Sequence, residues 1–379
     1  MSSIARLLSL VAFSALLAET AGCQASASQR EFQTSAGRVS LTTVASGLEH
    51  PWAVAFLPDG GMLITERPGR LRLVRGDGRL GEPIAGVPEV AASGQGGLLD
   101  VVLDPGFAAN RRIYLSYAEP GEGGAGTAVA RARLGEGRLE DVTVIFRQRP
   151  KVGGGNHFGS RLVFAPDGLL FVTLGERNQR DRAQSLADHL GTVVRIAPDG
   201  SIPKDNPFVG RDDALPEIWS FGHRNIQGAA PHPETGRLWT AEHGPRGGDE
   251  VNIPAAGRNH GWPVIGYGRH YSGARIGEGQ RKDGMEQPVH YWDPSIATSG
   301  MAFYTGDAIP AWRGSLFVGG LTARQVSRLQ LDGDRVVREE RLFADFGRRI
   351  RDVRQGPDGK LYLLTDEGDG ELVRVDLAS

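Results

Sequence analysis

A histidine in a glycine-rich loop, His157, is the first side chain of the sequence with a clear chemical use. It lies in the stretch GGGNHFGSRLVFAPDG, residues 153–168, directly before an apolar run that predicts a β-strand. The flanking glycines leave the backbone open to a ligand. A neutral imidazole can accept a proton near pH 7 because its reference pKa is about 6.5. The pattern therefore favours a general base, with a loop histidine hydrogen-bonded to backbone as the alternative.

Further polar residues lie in other segments with the character of loops. They are Gln95 in SGQGGLLD, Glu176 in LGERNQRD, Arg224 and Asn225 in FGHRNIQG, and Arg349 and Arg351 in GRRIRDV. Guanidinium groups stay charged and bind carboxylates through two parallel hydrogen bonds. Three arginines gathered at the opening of one binding site, called the mouth below, would therefore suit a multiply anionic ligand. Each arginine taken singly is also explained as a solvated surface charge.

A repeated turn-and-strand pattern supplies the scaffold that could bring these residues together. Pro-Asp-Gly, a tight-turn signature, precedes a strand-like run in copies that begin at Phe56, Phe164 and Gly356, with looser copies at Leu103, Pro231 and Ala311. Most copies are roughly 45 to 70 residues apart, a spacing typical of propellers. Six copies predict an all-β, six-bladed β-propeller of four-stranded antiparallel blades, with a large β-sandwich as the alternative. One segment, residues 180–191, has the pattern of an amphipathic helix.

Composition and the N-terminal residues indicate the class of protein and its compartment. The 379 residues include 43 Lys and Arg against 45 Asp and Glu, which excludes a strongly basic nucleic-acid binder. The apolar run at residues 7–18 has the length of a signal-peptide core and is too short to cross a bilayer. The single cysteine, Cys23, follows Ala21 and Gly22 as in bacterial lipoproteins.

We therefore divide the chain into a signal peptide (1–22), a tether (23–36) and a propeller domain (37–379). The expected location is the periplasm, with a lipid anchor at Cys23 holding the protein to the outer membrane. An ordinary signal peptide with an incidental thiol is the alternative. One cysteine allows no intramolecular disulfide.

Eight motifs of the mature chain resemble, in the same order, those of the soluble quinoprotein sugar dehydrogenases, which include soluble glucose dehydrogenase and the aldose sugar dehydrogenases. The motifs are GQGGLLDVVLDP, NHFGSRL, HRNIQG, EHGPRGGDEVN, GRNHGWP, YGRHYSG, PSIATSG and RIRDV. The resemblance implies a six-bladed propeller that holds pyrroloquinoline quinone (PQQ) and calcium. It also implies oxidation of aldoses to lactones by hydride transfer to the quinone, followed by electron transfer to an unidentified periplasmic acceptor.

The resemblance assigns a role to individual residues. It makes His157 the base that takes the substrate hydroxyl proton and Glu176 the acid that supports it. Around the quinone it places Gln95, Arg224, Asn225, Tyr271, Ser295, Thr322, Ala323, Arg324, Arg349, Ile350 and Arg351. It gives the cofactor's calcium the backbone carbonyls of Gly244 and Pro245, and it gives a separate structural calcium the Glu250 carboxylate and the His260 carbonyl.

Three residues depart from the family pattern. Thr322 stands where the glucose dehydrogenase branch has a lysine, which favours the aldose-dehydrogenase branch or weaker retention of the cofactor. Glu176 is one methylene longer than the usual aspartate, and His260 replaces the more usual tyrosine. Two other functions stay open: a propeller lactonase or other calcium-dependent hydrolase, and a non-catalytic propeller module that has lost the quinone.

Overall fold

Six antiparallel sheets form the protein, as seen in a computed structural model that describes residues 29–378. In chain order the strands are β1 (Gln29–Thr34), β2 (Gly37–Leu48), β3 (Pro51–Phe56), β4 (Met62–Glu66), β5 (Arg70–Val74), β6 (Leu80–Pro83), β7 (Leu98–Leu103), β8 (Arg112–Gly121), β9 (Gly124–Leu134), β10 (Leu139–Arg147), β11 (Leu162–Phe164), β12 (Leu170–Thr173), β13 (Thr192–Ile196), β14 (Ile218–Phe221), β15 (Ile226–Pro231), β16 (Leu238–Glu242), β17 (Asp249–Asn252), β18 (His290–Trp292), β19 (Thr298–Phe303), β20 (Leu316–Gly320), β21 (Gln325–Asp332), β22 (Arg335–Leu342), β23 (Ile350–Gln355), β24 (Leu361–Thr365) and β25 (Gly370–Leu377).

The sheets are the six blades of a β-propeller. Blades one to five are formed by β3–β6, β7–β10, β11–β14, β15–β18 and β19–β22, and the first strands of neighbouring blades contact one another around the ring. Blade six has the order β1-β2-β25-β24-β23. The predicted fold class is therefore confirmed, with one blade gaining a fifth strand, and the ring excludes a β-sandwich.

The Pro-Asp-Gly copies lie in the turn between the first and second strands of their blades. The glycine of each clear copy has a positive φ of 72° to 85°, which favours glycine over residues with a Cβ. The flanking residues close the turn as cross-strand pairs: Phe56 with Met62, Phe164 with Leu170, and Gln355 with Leu361. A purely local turn signal thus sets the register of these blades.

The ends of the chain meet in blade six. Strand β2 pairs with β25, from Val39 opposite Leu377 inwards, and β1 pairs with the outer edge of β2. The propeller therefore begins before residue 37, inside the predicted tether of residues 23–36. The sequence QREFQT of β1 gives little strand signal because four of its six residues are exposed at the edge of the sheet. Cys23 and the predicted signal peptide lie outside the described residues.

Helical structure in residues 29–378 is confined to four short segments: α1 (Phe107–Asn110) and 3-10 helices at Arg180–Gln184, Pro310–Trp312 and Ala344–Phe346. The helix predicted over residues 180–191 is wrong beyond residue 184. Ser185 adopts an extended conformation, and an ion pair of 2.8 Å between Arg182 and Asp188 folds the chain back. Across the same described part, none of the helices has the length and apolar character that a bilayer crossing requires.

A buried ionic cluster occupies the propeller axis. Arg161 is 1% exposed and lies 4.0 Å above the ring of Trp52. Its guanidinium is 3.0 Å from Asp352 and 3.4 Å from Asp100, and Arg354 binds Asp100 at 2.7 Å. Buried charges are tolerated when they are paired. These paired charges fill the centre of the propeller with polar side chains.

Candidate active site

The predicted site residues come from one end of the blades. Most of them precede or begin the first strand of a blade, as His157, Arg224 and Arg349 do, or follow the second strand, as Glu176 and Gly244 do. Glu250, His260 and Tyr271 instead lie in or after the third strand of blade four, β17. The start of one strand and the end of its antiparallel neighbour lie at the same edge of a sheet. The ring therefore gathers loops that are distant in sequence at one mouth.

His157 is held by its backbone and by one ring nitrogen. Its φ is 57°, a left-handed conformation that is uncommon for residues other than glycine and clusters at functional sites. The backbone N–H donates to Gln95 Oε1 at 2.9 Å, and Nδ1 lies 2.9 Å from Glu176 Oε1. A carboxylate at Nδ1 assigns the proton to that nitrogen, so Nε2 carries the lone pair.

The surroundings of His157 favour its neutral form. Burial lowers the pKa of the imidazole below its usual 6.5, Glu176 raises it in part, and the positive charges of Arg224 and Arg177 lower it again. Glu176 is itself 1% exposed, and its second oxygen, Oε2, has no hydrogen-bond partner among the described residues. The pair therefore combines an unprotonated imidazole at neutral pH with a carboxylate that can stabilise the charged ring.

Gln95 and Asn225 join the His157 loop to the neighbouring blade. Asn225 Oδ1 accepts a hydrogen bond from Gly159 N at 3.0 Å, and its Nδ2 lies 3.4 Å from Gln95 Oε1. The backbone of Glu176 is bound to that of Arg224, whose carbonyl accepts from Glu176 N at 2.9 Å. These bonds fix the positions of the imidazole and the carboxylate relative to each other.

Two predicted arginines and one further arginine surround a single carboxylate, Asp366. Arg351 binds Asp366 at 2.6 Å and Gln227 at 2.7 Å, whereas Arg349 is 3.4 Å from Asp366 and 38% exposed. Arg67 lies 3.9 Å from the same carboxylate. Burial would raise the pKa of Asp366, but the three guanidiniums hold it well below its usual range. One carboxylate against three guanidiniums leaves two positive charges for an anionic ligand to neutralise.

Arg67 and Asp366 were missed by the sequence analysis, although the repeat contained a signal for them. Arg67, His243 and Asp366 each come directly after the second strand of a blade, in β4, β16 and β24 respectively. Because the end of the second strand lies at the same edge of the sheet as the start of the first, aligning the repeats at this position would have marked all three as candidates.

Arg224 and the predicted calcium-binding turn lie side by side. Arg224 Nη1 donates to the carbonyls of His243 at 3.1 Å and Gly244 at 2.9 Å. The turn itself is shaped by Asp249, which accepts from Gly244 N at 2.8 Å. A Cβ on Gly244 would lie 2.3 Å from the carbonyl oxygen of Gly247, so only glycine allows this close approach.

Glu250 and His260 line one small cavity together with Gly244 and Pro245. Glu250 lies opposite Glu242 across β16 and β17. Desolvation and the Glu242 carboxylate raise the pKa of Glu250 above its usual range. Both ring nitrogens of His260 are buried without a partner among residues 29–378. Two opposed carboxylates form an environment that a cation would stabilise.

The remaining predicted residues contact the site less directly. Ser295 Oγ donates to Asp249 at 2.9 Å, and the backbone N–H groups of Thr322 and Ala323 bind a single carbonyl, that of Ile296. Tyr271 is 75% exposed in the 265–290 loop. The other two residues take part in hydrogen bonds with a backbone carbonyl: Arg324 donates to Gly347 O at 3.3 Å, and Ile350 O accepts from Ser299 at 2.6 Å.

Known proteins that are similar to this chain agree with the geometry of the candidate site. It is 52% identical over 343 residues to the aldose sugar dehydrogenase YliI of Escherichia coli strain K12, covering 89% of this chain and 92% of that protein. A crystal structure of a glucose dehydrogenase is 57% identical, with a TM-score of 0.88 over 89% of this chain and 99% of that one.

A third relative was solved in a PQQ-bound form. It is the aldose sugar dehydrogenase of Streptomyces coelicolor, 28% identical with a TM-score of 0.74, over 89% of this chain and 98% of that one. The family model for glucose and sorbosone dehydrogenases matches residues 48–374. The chain therefore belongs to the glucose/sorbosone dehydrogenase family and is a sugar dehydrogenase, which confirms the family and the enzyme class predicted from its motifs.

Proposed function

We propose that this protein oxidises aldoses to lactones with PQQ and calcium, and that His157 is the base. The observation that carries the proposal is the His157–Glu176 pair at 2.9 Å, set at the same mouth as three arginines around one carboxylate. The pair provides a proton acceptor, and the arginines provide a place for an anion beside it.

The residues at the mouth fit PQQ. The cofactor is anionic through three carboxylates, and Arg67, Arg349 and Arg351 carry two more charges than Asp366 neutralises. The Nε atoms of Arg67 and Arg351 are buried and lack a hydrogen-bond partner within the described chain, so both can still donate. The PQQ-bound Streptomyces coelicolor relative supports the same assignment. When bound, PQQ supplies the two-electron acceptor that sugar oxidation requires.

His157 and Glu176 would handle the proton of the reaction. Nε2 of the neutral imidazole takes the proton of the anomeric hydroxyl, while Glu176 holds the ring through Nδ1 and stabilises the imidazolium that forms. Gln95 and Asn225 keep the His157 backbone in its left-handed conformation. A positioned general base of this kind contributes roughly 10²- to 10⁴-fold to the rate.

Calcium fits both predicted positions in chemical terms. Carbonyl and carboxylate oxygens are the ligands it prefers, and the residues assigned to the two ions, Gly244 and Pro245 for one and Glu250 and His260 for the other, line a single small cavity. Between residues 29 and 378 no group of three or more His, Cys, Asp or Glu side chains is arranged to hold a metal. Carbonyl oxygens would therefore have to complete the shell, and Gly244 O, which has two lone pairs, already accepts one hydrogen bond from Arg224.

Export and anchoring belong to the same proposal. The signal-peptide pattern and Cys23 support a periplasmic enzyme held by lipid at the outer membrane, where it would pass electrons to an acceptor in that compartment. Thr322, in place of the lysine of the glucose dehydrogenase branch, supports the aldose-dehydrogenase branch.

Reconstitution tests the proposal. Purified protein is treated with chelator, PQQ and calcium are added separately and together, and a panel of aldoses is assayed by dye reduction with mass-spectrometric detection of the lactone. We expect turnover only when both are present. Stoichiometric binding of PQQ without oxidation of any aldose would refute the catalytic proposal, and failure to bind PQQ would refute the cofactor assignment.

A further inference from the structure

Three exposed arginines lie side by side on a small β-ladder at the edge of the mouth. Arg246 and Arg269 are antiparallel bridge partners, with backbone hydrogen bonds of 3.0 and 2.9 Å, and Arg269 is also the bridge partner of Arg275. Directly opposed residues of antiparallel strands present their side chains on the same face. We call Arg246, Arg269 and Arg275 the arginine ladder.

The charges of the arginine ladder are not balanced. In the part of the chain that the structure describes, none of the three guanidiniums has a carboxylate within 4.0 Å; Arg275 instead donates to the carbonyl of Glu278 at 2.5 Å. Like charges placed opposite each other destabilise a sheet. An arrangement that breaks such a rule without compensation is expected at functional positions. The ladder is thus a local excess of positive charge on a chain whose net charge is −2.

The ladder is joined directly to the candidate active site. Arg246 follows Gly244 by two residues, so their backbones are within about 7 Å of each other. The Cβ position of Gly268 lies too close to the Gly247 carbonyl for any side chain. The chain next to Arg269 therefore packs directly on the turn that binds Arg224.

An aromatic path connects this rim to Arg224. Arg224 lies 5.4 Å from the ring of Trp262, and the Trp262 and His270 rings are 6.4 Å apart. His270 Nε2 accepts from Arg180 at 3.3 Å, and Arg180 is itself 3.5 Å from the carboxylate of Asp181. Tyr271, 75% exposed, occupies the tip of the same hairpin. A molecule seated on the ladder would thus be within a short distance of the site.

We propose that the arginine ladder is the docking surface for a negatively charged electron acceptor. The inference rests on the proposed function, because it requires a site that becomes reduced by sugar. Under the proposed function the carboxylates of the cofactor are assigned to Arg67, Arg349 and Arg351, which leaves the arginine ladder available to another anion. Aldoses are uncharged and gain nothing from it. Cationic rims raise the association rate of anions by roughly 10- to 10³-fold at low salt.

The electron balance defines the probes. Oxidation of one aldose to its lactone releases two electrons and two protons; two ferricyanide ions take one electron each, and the protons pass to solvent. Ferricyanide is a trianion, and hexaammineruthenium(III) is a trication that takes one electron in the same way. In ping-pong kinetics kcat/KM for the acceptor is independent of kcat/KM for the sugar, so the two half-reactions are measured separately.

The test compares the PQQ- and calcium-loaded wild type with Arg269→Glu, Arg269→Lys and a control, Arg335→Glu. Arg335 is 75% exposed on the outer strand of blade five, and its reversal changes the net charge equally. At low ionic strength we expect Arg269→Glu to lower kcat/KM for ferricyanide roughly tenfold and to raise it for hexaammineruthenium(III). Arg269→Lys and Arg335→Glu should retain the wild-type preference, and kcat/KM for the aldose should be unchanged in all variants.

A redox-inert anion gives a second measurement. Calorimetric titration with hexacyanocobaltate(III) should detect binding to the loaded wild type and much weaker binding to Arg269→Glu. Equal ferricyanide kinetics in Arg269→Glu and Arg335→Glu would overturn the inference while leaving the proposed function intact. A selective loss of kcat/KM for uronic acids would instead assign the ladder to anionic substrates. Absence of turnover with both acceptors in the wild type would refute the proposed function itself.

Discussion

Replacing Glu176 by glutamine isolates the contribution of its charge to the proposed base. The amide keeps the shape of the side chain and can still accept from His157 Nδ1, whose distance to Glu176 Oε1 is 2.9 Å. What is lost is the negative charge on the acceptor. A hydrogen bond to a charged group contributes about 1.5–3 kcal/mol and one between neutral groups about 0.5–1.5 kcal/mol, so the loss is about 1–1.5 kcal/mol. At about 1.36 kcal/mol for each factor of ten, kcat should fall roughly 5- to 13-fold. His157→Gln, which removes the base, should cost roughly 10²- to 10⁴-fold.

The pH profile separates this mechanism from a general loss of structure. The active form of His157 is neutral, and its pKa is lowered below 6.5, so activity in the wild type should persist below pH 6.5 and decline only as the pH falls through the lowered pKa. Because Glu176 raises that pKa, Glu176→Gln should move the acid limb of kcat/KM to still lower pH. Stopped-flow reduction of the PQQ-loaded enzyme by an aldose, between pH 4 and 8, measures both effects.

The chain offers a matched control in a second histidine–glutamate pair. His189 Nε2 lies 2.9 Å from Glu217 Oε1 next to the outer strand of blade three. Glu217→Gln makes the same chemical change at a side chain whose partners are His189 and Arg149 and not His157, and it should leave kcat and the acid limb unaltered. If PQQ-loaded His157→Gln oxidises aldoses within a few-fold of wild type, or if Glu217→Gln shifts the acid limb as Glu176→Gln does, the base assignment is wrong.

Three further predictions concern the arginines, the cation and the N-terminus. Arg349→Ala should fold normally and bind PQQ about 2 kcal/mol more weakly, as measured by an absorbance titration. Arg351→Ala removes the closest partner of buried Asp366 and should therefore lower the free energy of unfolding in urea by about 3–5 kcal/mol. Equal behaviour of the two variants would contradict these separate roles. Calcium at a hundred times its Kd should stabilise the wild type by about 2.7 kcal/mol and Glu250→Gln markedly less, and equal stabilisation would remove Glu250 from the ligands. Mass spectrometry should find an acylated N-terminus at Cys23 that is absent from Cys23→Ser, and cleavage elsewhere without acyl mass would rule out the anchor.

The sequence was most informative where structure depends on neighbouring residues. Turns of the Pro-Asp-Gly type need only a few adjacent residues, so the blade count could be read from the repeat. Strand β1 was missed because an exposed edge strand carries no alternating apolar pattern. The helix predicted at residues 180–191 ended early because a local ion pair, invisible in the periodicity, favours a turn.

The site was predictable residue by residue but not as a network. Motifs pointed to Arg349 and Arg351, yet their central partner Asp366 lies beyond the next strand of the same blade, and the third cation, Arg67, comes from blade one. A histidine paired with a glutamate at 2.9 Å occurs at His157, but equally at His189 and His223. The pair alone is therefore not diagnostic, and its place at the mouth could be known only from the fold.

Blade six gives the molecule a clasp made from both ends of the chain. Arg349, Arg351 and Asp366 belong to this blade or its loops, and β2 from the N-terminal end covers β25 in the same sheet. The anion-binding part of the mouth thus includes residues of the one blade whose sheet is completed by both ends of the chain. A ligand that binds Arg67 of blade one together with Arg349 and Arg351 of blade six would bridge the two blades at which the ring closes. Tight binding of the anionic cofactor should therefore slow unfolding of the whole propeller. The unfolding rate would then depend on how fully the cofactor site is occupied.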